Sequence, residues 1–174
     1  VSKLAMEYYM AIYDKSSSMN VSALRFSNVY GPNSHKKGSV VSTFLKAGFQ
    51  DGCLHINGDG SQSRDFIYVA DICQALISAV DYDGASKYSK FCIGTGFETS
   101  VIDLAKLIQI FLFQKEGIKI SLKFTEARPG DVISNCADIS LARDVLNFRS
   151  RMSLDKGLAP TWESIAKSVK GKLG

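Results

Sequence analysis

Short apolar runs of strand length alternate along this chain with stretches whose apolar residues recur every three or four positions, and this alternation limits the fold more than any other feature. Residues 21–26, 54–56, 65–68, 91–93 and 118–124 read as extended segments, the last alternating Ile118, Ile120, Leu122 and Phe124. Between them, residues 2–14 place Leu4, Tyr8 and Ile12 at helical spacing, 40–48 turn Phe44 and Leu45 inward, and 69–80 carry Ile72, Leu76, Ala79 and Val80. Further helices are predicted over 101–113, from an Asp138 cap through Leu146, and along Leu154, Leu158, Trp162, Ile165 and Val169. No internal repeat or low-complexity tract interrupts this order, so the class is α/β. With 174 residues, 45% of them hydrophobic, the chain can bury a core of ordinary domain size.

Local chemistry sharpens several boundaries. Ser100 and Asp103 have capping-box spacing, in which hydroxyl and carboxylate each satisfy an unpaired amide at a helix start. Pro160 either opens the regular part of the last helix or kinks it. The glycines of Gly58-Asp59-Gly60 and Gly94-Thr95-Gly96 read as tight turns, since neither string completes a dinucleotide-binding fingerprint. The helix over 2–14 is apolar on more than one side, which suits packing on a sheet with one face and on another subunit with the other.

Composition excludes several functions. The formal charge of +4 is spread along the chain without the dense basic block of a nucleic-acid binder. Cys53, Cys73, Cys92 and Cys136 form no CxxC pair, and with only His35 and His55 the chain offers no metal-ligand spacing; reduced thiols in a cytoplasmic protein are expected. No apolar stretch reaches the roughly 20 residues of a membrane span, and no signal-peptide pattern opens the chain. The chain starts at Val1 inside a helical pattern, which reads as a cut within a longer protein.

Four stretches carry a resemblance. They are VSKLAMEYY at 1–9, LRFSNVYGP at 24–32, INGDGSQSRDFIYVAD at 56–71 and ARPGDVISNCADISLA at 127–142. In this order and spacing they resemble the extended short-chain dehydrogenase/reductase family, most closely the NAD-dependent sugar-nucleotide epimerases and dehydratases of the UDP-glucose 4-epimerase kind. The resemblance implies the C-terminal part of a Rossmann-type doubly wound fold followed by a small mixed α/β substrate domain. Residues 1–33 then represent the end of the dinucleotide-binding domain, and 34–174 the nucleotide-sugar domain, with segments that return to the Rossmann sheet.

Residue by residue, the resemblance assigns Lys3 to the lysine of the family's catalytic Tyr-x-x-x-Lys pair, with the tyrosine two positions before Val1. A phenol with an ordinary pKa of about 10 serves as a base at neutral pH only where positive charge stabilises phenolate, and lysine and the oxidised nicotinamide supply it. Hydride leaves the sugar carbon and, in an epimerase, returns to its other face. Without that tyrosine and the glycine-rich turn for the pyrophosphate, this stretch alone is expected to be inactive. Lys3, Phe26 and Val29 are implied beside NAD.

For the substrate, the resemblance implies Asn28 on a phosphate oxygen, the backbone of the short strand Leu54, His55 and Ile56 on the edge of the base, and Arg64 and Arg128 on the diphosphate of a UDP-sugar. Guanidinium suits that task because it is permanently charged and donates paired bonds to phosphate. Asp131 is implied on the ribose hydroxyls. The bland alternative for each arginine is a surface salt bridge, with Asp65 and Glu126 the nearest carboxylates in sequence.

The family often has Tyr at the position of Phe26 and Phe or Tyr at that of Ser27, so the lining beside the nicotinamide differs here. Arg-Pro-Gly-Asp at 128–131 looks more like UDP-sugar 4-epimerases than 4,6-dehydratases or reductases. A homodimer through the helix that starts at Ser2 is also implied. A non-catalytic binding or interaction module is the alternative of a different class.

Overall fold

The computed structural model describes residues 2–16, 20–82 and 88–170. Helix α1 (Ser2–Ser16) leads to strands β1 (Val21–Phe26) and β2 (Asn28–Tyr30), a 3-10 turn at Ser34–Lys37 and helix α2 (Val40–Asp51). Strands β3 (Cys53–Asn57), β4 (Ser63–Arg64) and β5 (Phe66–Tyr68) precede helix α3 (Val69–Val80). After β6 (Tyr88–Ile93) and β7 (Thr99–Ser100) come α4 (Val101–Glu116), β8 (Ser121–Thr125), α5 (Ser140–Leu146) and α6 (Leu154–Lys170).

The strands pair two by two. β1 lies parallel to β6, from Val21 opposite Tyr88 to Phe26 opposite Ile93, β2 parallel to β5, and β3 parallel to β8. Only β4 and β7 are antiparallel. Parallel neighbours need long crossovers, and helices fill them, which is why strand and helix patterns alternate in the sequence. One apolar cluster gathers α2, β3, α4 and α6 around Leu45, Leu54, Ile56, Leu104, Ile108 and Trp162. A second joins Ile67, Ile72, Phe91, Ile93, Leu146 and Phe148, so that β5, α3, β6 and α5 share one interior.

Helix α1 departs from its sequence pattern. Leu4, Tyr8 and Ile12, at helical spacing, are 52%, 65% and 60% exposed, whereas Glu7 and Asp14 are buried. The reason lies across the packing surface. Arg25 on β1 donates from Nε and Nη2 to the two oxygens of Glu7, at 2.7 and 2.6 Å, and Lys90 on β6 stands 3.7 Å from the same carboxylate. A forked pair fixes the helix on the sheet where apolar contact was expected.

Four local expectations also shift. The strand predicted over 118–124 covers Ser121–Thr125, and its register with β3 is set from Cys53 opposite Ser121. The N-cap of α5 is Ile139, one residue after Asp138, whose Oδ1 accepts from the N–H and hydroxyl of Ser140, the first residue of the helix. Helix α6 starts at Leu154 and runs through Pro160. At the start of α4, Ser100 Oγ accepts from Asp103 N–H at 3.1 Å, but it also donates to Asp103 Oδ2 at 2.6 Å. The carboxylate therefore meets the hydroxyl in place of the cap backbone, and the N–H of Val101 is taken by Gln62 O.

Candidate nucleotide-sugar site

Parallel strands β1 and β2 end where the chain crosses from one pair to the next, and the carboxyl ends of parallel strands are where ligands collect in such sheets. Ser27 donates its N–H to Ile93 O and Asn28 its N–H to Asp65 O, both at 2.9 Å, which stitches β1 to β6 and β2 to the start of β5. Asn28 is half-buried and lines a cavity of about 280 Å³ together with Ser27, Val29, Ser39, Val40 and Phe66. Ser39 is the N-cap of α2, and its Oγ accepts from Ser42 N–H. A helix start, with its unpaired amides and positive end, thus opens on the cavity beside Asn28, a favourable setting for an anion.

Asp65 organises this corner, and the sequence reading missed that role. Its side chain is wholly buried. Oδ1 accepts from Thr95 N–H at 2.9 Å and Thr95 Oγ1 at 2.7 Å, and Oδ2 from Gly96 N–H at 3.1 Å, Ser27 Oγ at 3.2 Å and Ala137 N–H at 3.4 Å. A buried carboxylate needs such donors to offset its lost hydration. Gly94 has no side chain because Asp65 Oδ2, Ser27 Oγ and Ala137 Cβ occupy the place a Cβ would take. The only sequence signal was an Asp next to a candidate phosphate arginine, which read as a salt-bridge partner.

Arg64 takes a different carboxylate. Its Nη2 lies 2.6 Å from Asp131 Oδ1, and Nη1 donates to the carbonyls of Val132 at 2.5 Å and Ser63 at 2.7 Å. Asp131 N–H closes a turn on Arg128 O at 3.2 Å, which sets Arg128 on the loop that Arg64 grips. The Arg128 side chain is exposed and makes no ion pair among the described residues. Arg64 stands two residues before Phe66, the register partner of Asn28, but neither Arg64 nor Arg128 lines the cavity beside Asn28.

Leu54 and Ile56 have buried side chains in the larger apolar cluster. Their backbone is committed as well. The bonds Ser121 N–H to Gly52 O and Gly58 N–H to Thr125 O fix the parity of the β3–β8 ladder, so Leu54 and Ile56 point their amides and carbonyls at β8. His55, whose side chain is exposed, turns its N–H and C=O to the other edge of the strand. A one-residue offset decides this, and apolar spelling alone does not reveal it.

Phe26 ends β1 and is 45% exposed, and Val29 packs partly buried against the second apolar cluster. Lys3 is exposed in the first turn of α1. The structure places Lys3 on a different element from Arg64 and Asp131 and records no contact between them. No helix among the described residues is long and apolar enough to cross a membrane.

Known proteins share this arrangement. The NAD dependent epimerase/dehydratase family matches over residues 1–94. A putative UDP-glucose 4-epimerase of Methanocaldococcus jannaschii is 32% identical over 160 residues, covering 91% of this chain and 50% of its own length. The UDP-glucose 4-epimerase of Mycolicibacterium smegmatis is 32% identical over 163 residues, covering 92% and 50%. Among solved structures, MoeE5 in complex with UDP-glucuronic acid and NAD superposes with a TM-score of 0.83 at 32% identity, over 95% of this chain and 54% of that one. The chain spans about half the length of the curated relatives it matches. Parallel pairing, a strand-end cavity beside Asn28 and matches of this extent have one common explanation: the chain belongs to the NAD dependent epimerase/dehydratase family.

Proposed function

We propose that this chain holds the nucleotide-sugar in an NAD-dependent UDP-sugar 4-epimerase. The observation that carries the reading is the grip of Arg64 on Asp131 and on the turn that bears Arg128. Arg64 and Arg128 hold the diphosphate, with the Asn28 amide and the first amides of α2 as further donors. Asp131, released in part from Arg64, accepts from the ribose hydroxyls. The edge of β3 at His55, the middle residue of the strand that the resemblance assigned to this role, reads the base through its backbone.

Residues 1–33, with the strand β6 that returns to pair with β1, form the dinucleotide side of the chain, and the rest of 34–174 the sugar-nucleotide side. The half-exposed ring of Phe26 at a parallel strand end fits a flat cofactor ring. Phe26, Val29 and Lys3 would hold NAD there, and NAD when bound supplies the hydride-accepting chemistry. The ammonium of Lys3 contributes positive charge that favours the deprotonated form of a neighbouring phenol. A cytoplasmic setting, in which the four cysteines stay free thiols, goes with this reading. The exposed apolar face of α1 pairs with a second copy of the chain.

Calorimetric titration with UDP, UDP-glucose and UDP-galactose tests the proposal. An epimerase holds both C4 forms, so the two sugars bind within a few-fold of one another. Arg64→Ala with Arg128→Ala lowers both affinities about a hundredfold, two charge-assisted contacts being lost. Unchanged affinity in the double variant contradicts the assignment.

A further inference from the structure

A larger cavity, of about 700 Å³, opens between the turn at residues 94–97, the start of α5 and the segment 148–154. It shares one wall, Phe66, with the cavity beside Asn28. Buried Phe66 and Phe148 give it an apolar floor, Phe97 is 78% exposed at its side, and the exposed guanidinium groups of Arg143, Arg149 and Arg151 stand at its rim. Its volume falls within the roughly 300–1,000 Å³ of small-ligand sites.

Both walls are fixed by buried carboxylates that bond to backbone. Asp65 holds the N–H groups of Thr95 and Gly96. Asp71 accepts from Ser150 Oγ at 3.0 Å and from the N–H groups of Arg151 and Met152, each at 3.2 Å, which ties the second wall to the first turn of α3. Arg149 and Arg151 therefore hang from an anchored segment, yet neither has an ion-pair partner among the described residues. Arg143 meets only its neighbour Asp144, at 2.9 Å. Glu98, the carboxylate beside Phe97, accepts from Ser134 instead.

Unpaired guanidinium forks match phosphate oxygens, and an exposed phenyl ring offers a face on which a flat heterocycle stacks. We propose that this cavity binds a nucleoside polyphosphate, its base against Phe97 and its phosphates on Arg149 and Arg151, independently of the UDP-sugar reading. No bond is made or broken there.

Titration of the isotopically labelled chain with ATP, inorganic pyrophosphate and adenosine tests this, followed through backbone amide resonances. ATP is expected to shift Thr95, Gly96, Phe97, Arg151 and Met152 with sub-millimolar affinity, and pyrophosphate and adenosine to do so about tenfold more weakly, each having only half of the chemistry. Arg149→Ala with Arg151→Ala lowers the ATP affinity about tenfold or more. Both side chains are exposed, and an unchanged melting temperature shows the variant to be folded. Arg64→Ala with Arg128→Ala leaves the response at these amides intact. Silence of these amides at millimolar ATP, an acidic peptide shifting them where ATP does not, a response unchanged in the Arg149 and Arg151 variant, or a pyrophosphate response equal to that of ATP overturns the proposal.

Discussion

Arg64 and Asp131, 67 residues apart in sequence, meet through a 2.6 Å contact between Nη2 and Oδ1. The arginine is the more enclosed partner, its side chain 18% exposed against 38% for the aspartate. Together with the bond to Val132 O, this contact holds the 128–132 loop against β4. Arg64→Lys keeps the charge but loses the fork. It is expected to speed amide exchange in the loop and to weaken UDP binding about tenfold, as hydrogen-exchange mass spectrometry and calorimetry read out. Exchange and affinity matching those of the unaltered chain would remove the loop-holding role.

Asp65 makes a prediction about stability. Its removal leaves the N–H groups of Thr95 and Gly96 without their acceptor, and the Thr95 hydroxyl with Phe97 O in its place. Asp65→Ala is expected to cost about 3 kcal/mol or more in urea unfolding, since each stranded buried donor costs about 1–3 kcal/mol. Gly94→Ala should be destabilising too, because its new Cβ collides with Asp65 Oδ2 and Ser27 Oγ. A loss below about 1 kcal/mol in both variants contradicts the account of this corner.

These two residues show what sequence could and could not disclose. Helix α3 is found at Val69–Val80 as its apolar spacing predicts, because a strong local period fixes an amphipathic helix. Arg64, Arg128 and Asp131 could be singled out in the sequence as residue types suited to phosphate and ribose. Their partners were not. That Arg64 takes Asp131 rather than adjacent Asp65, that Asp65 turns inward, and that of Leu54, His55 and Ile56 only His55 keeps its backbone turned from β8 all depend on pairing and register, which bring distant segments together. Helix α1 is found at Ser2–Ser16 as predicted, but how it packs was hidden for a related reason: apolar spacing cannot report that Arg25 stands opposite Glu7.

The tie between Glu7 and Arg25 predicts a pH dependence. The hydrogen bond from Arg25 holds the Glu7 carboxyl below its ordinary value of 4.5, with the charges of Arg25 and Lys90 acting in the same direction against partial burial. A lowered folded-state pKa means that the stabilisation is present above about pH 4.5 and is lost as pH falls through the folded value. The opening of α1, read as amide exchange relative to the intrinsic rate, is therefore expected to increase as pH falls below about 4.5 more steeply than in Glu7→Gln, where the tie is already neutral. Equal slopes in the two proteins would remove Glu7 from the account.

Exposed Leu4, Tyr8, Tyr9 and Ile12 make α1 the expected site of self-association. Sedimentation equilibrium should show a dimer, and Leu4→Glu with Ile12→Glu should yield a monomer whose melting temperature falls by only a few degrees. A monomer before substitution, or a dimer that persists after it, contradicts this interface.

A crystal structure of the chain with UDP-glucose tests the central claim most directly. The account predicts the diphosphate within hydrogen-bonding distance of Arg64 and Arg128, beside Asn28 and the first turn of α2, with the uracil on the backbone edge at His55. A diphosphate bound elsewhere, with both guanidinium groups turned to solvent, would contradict it.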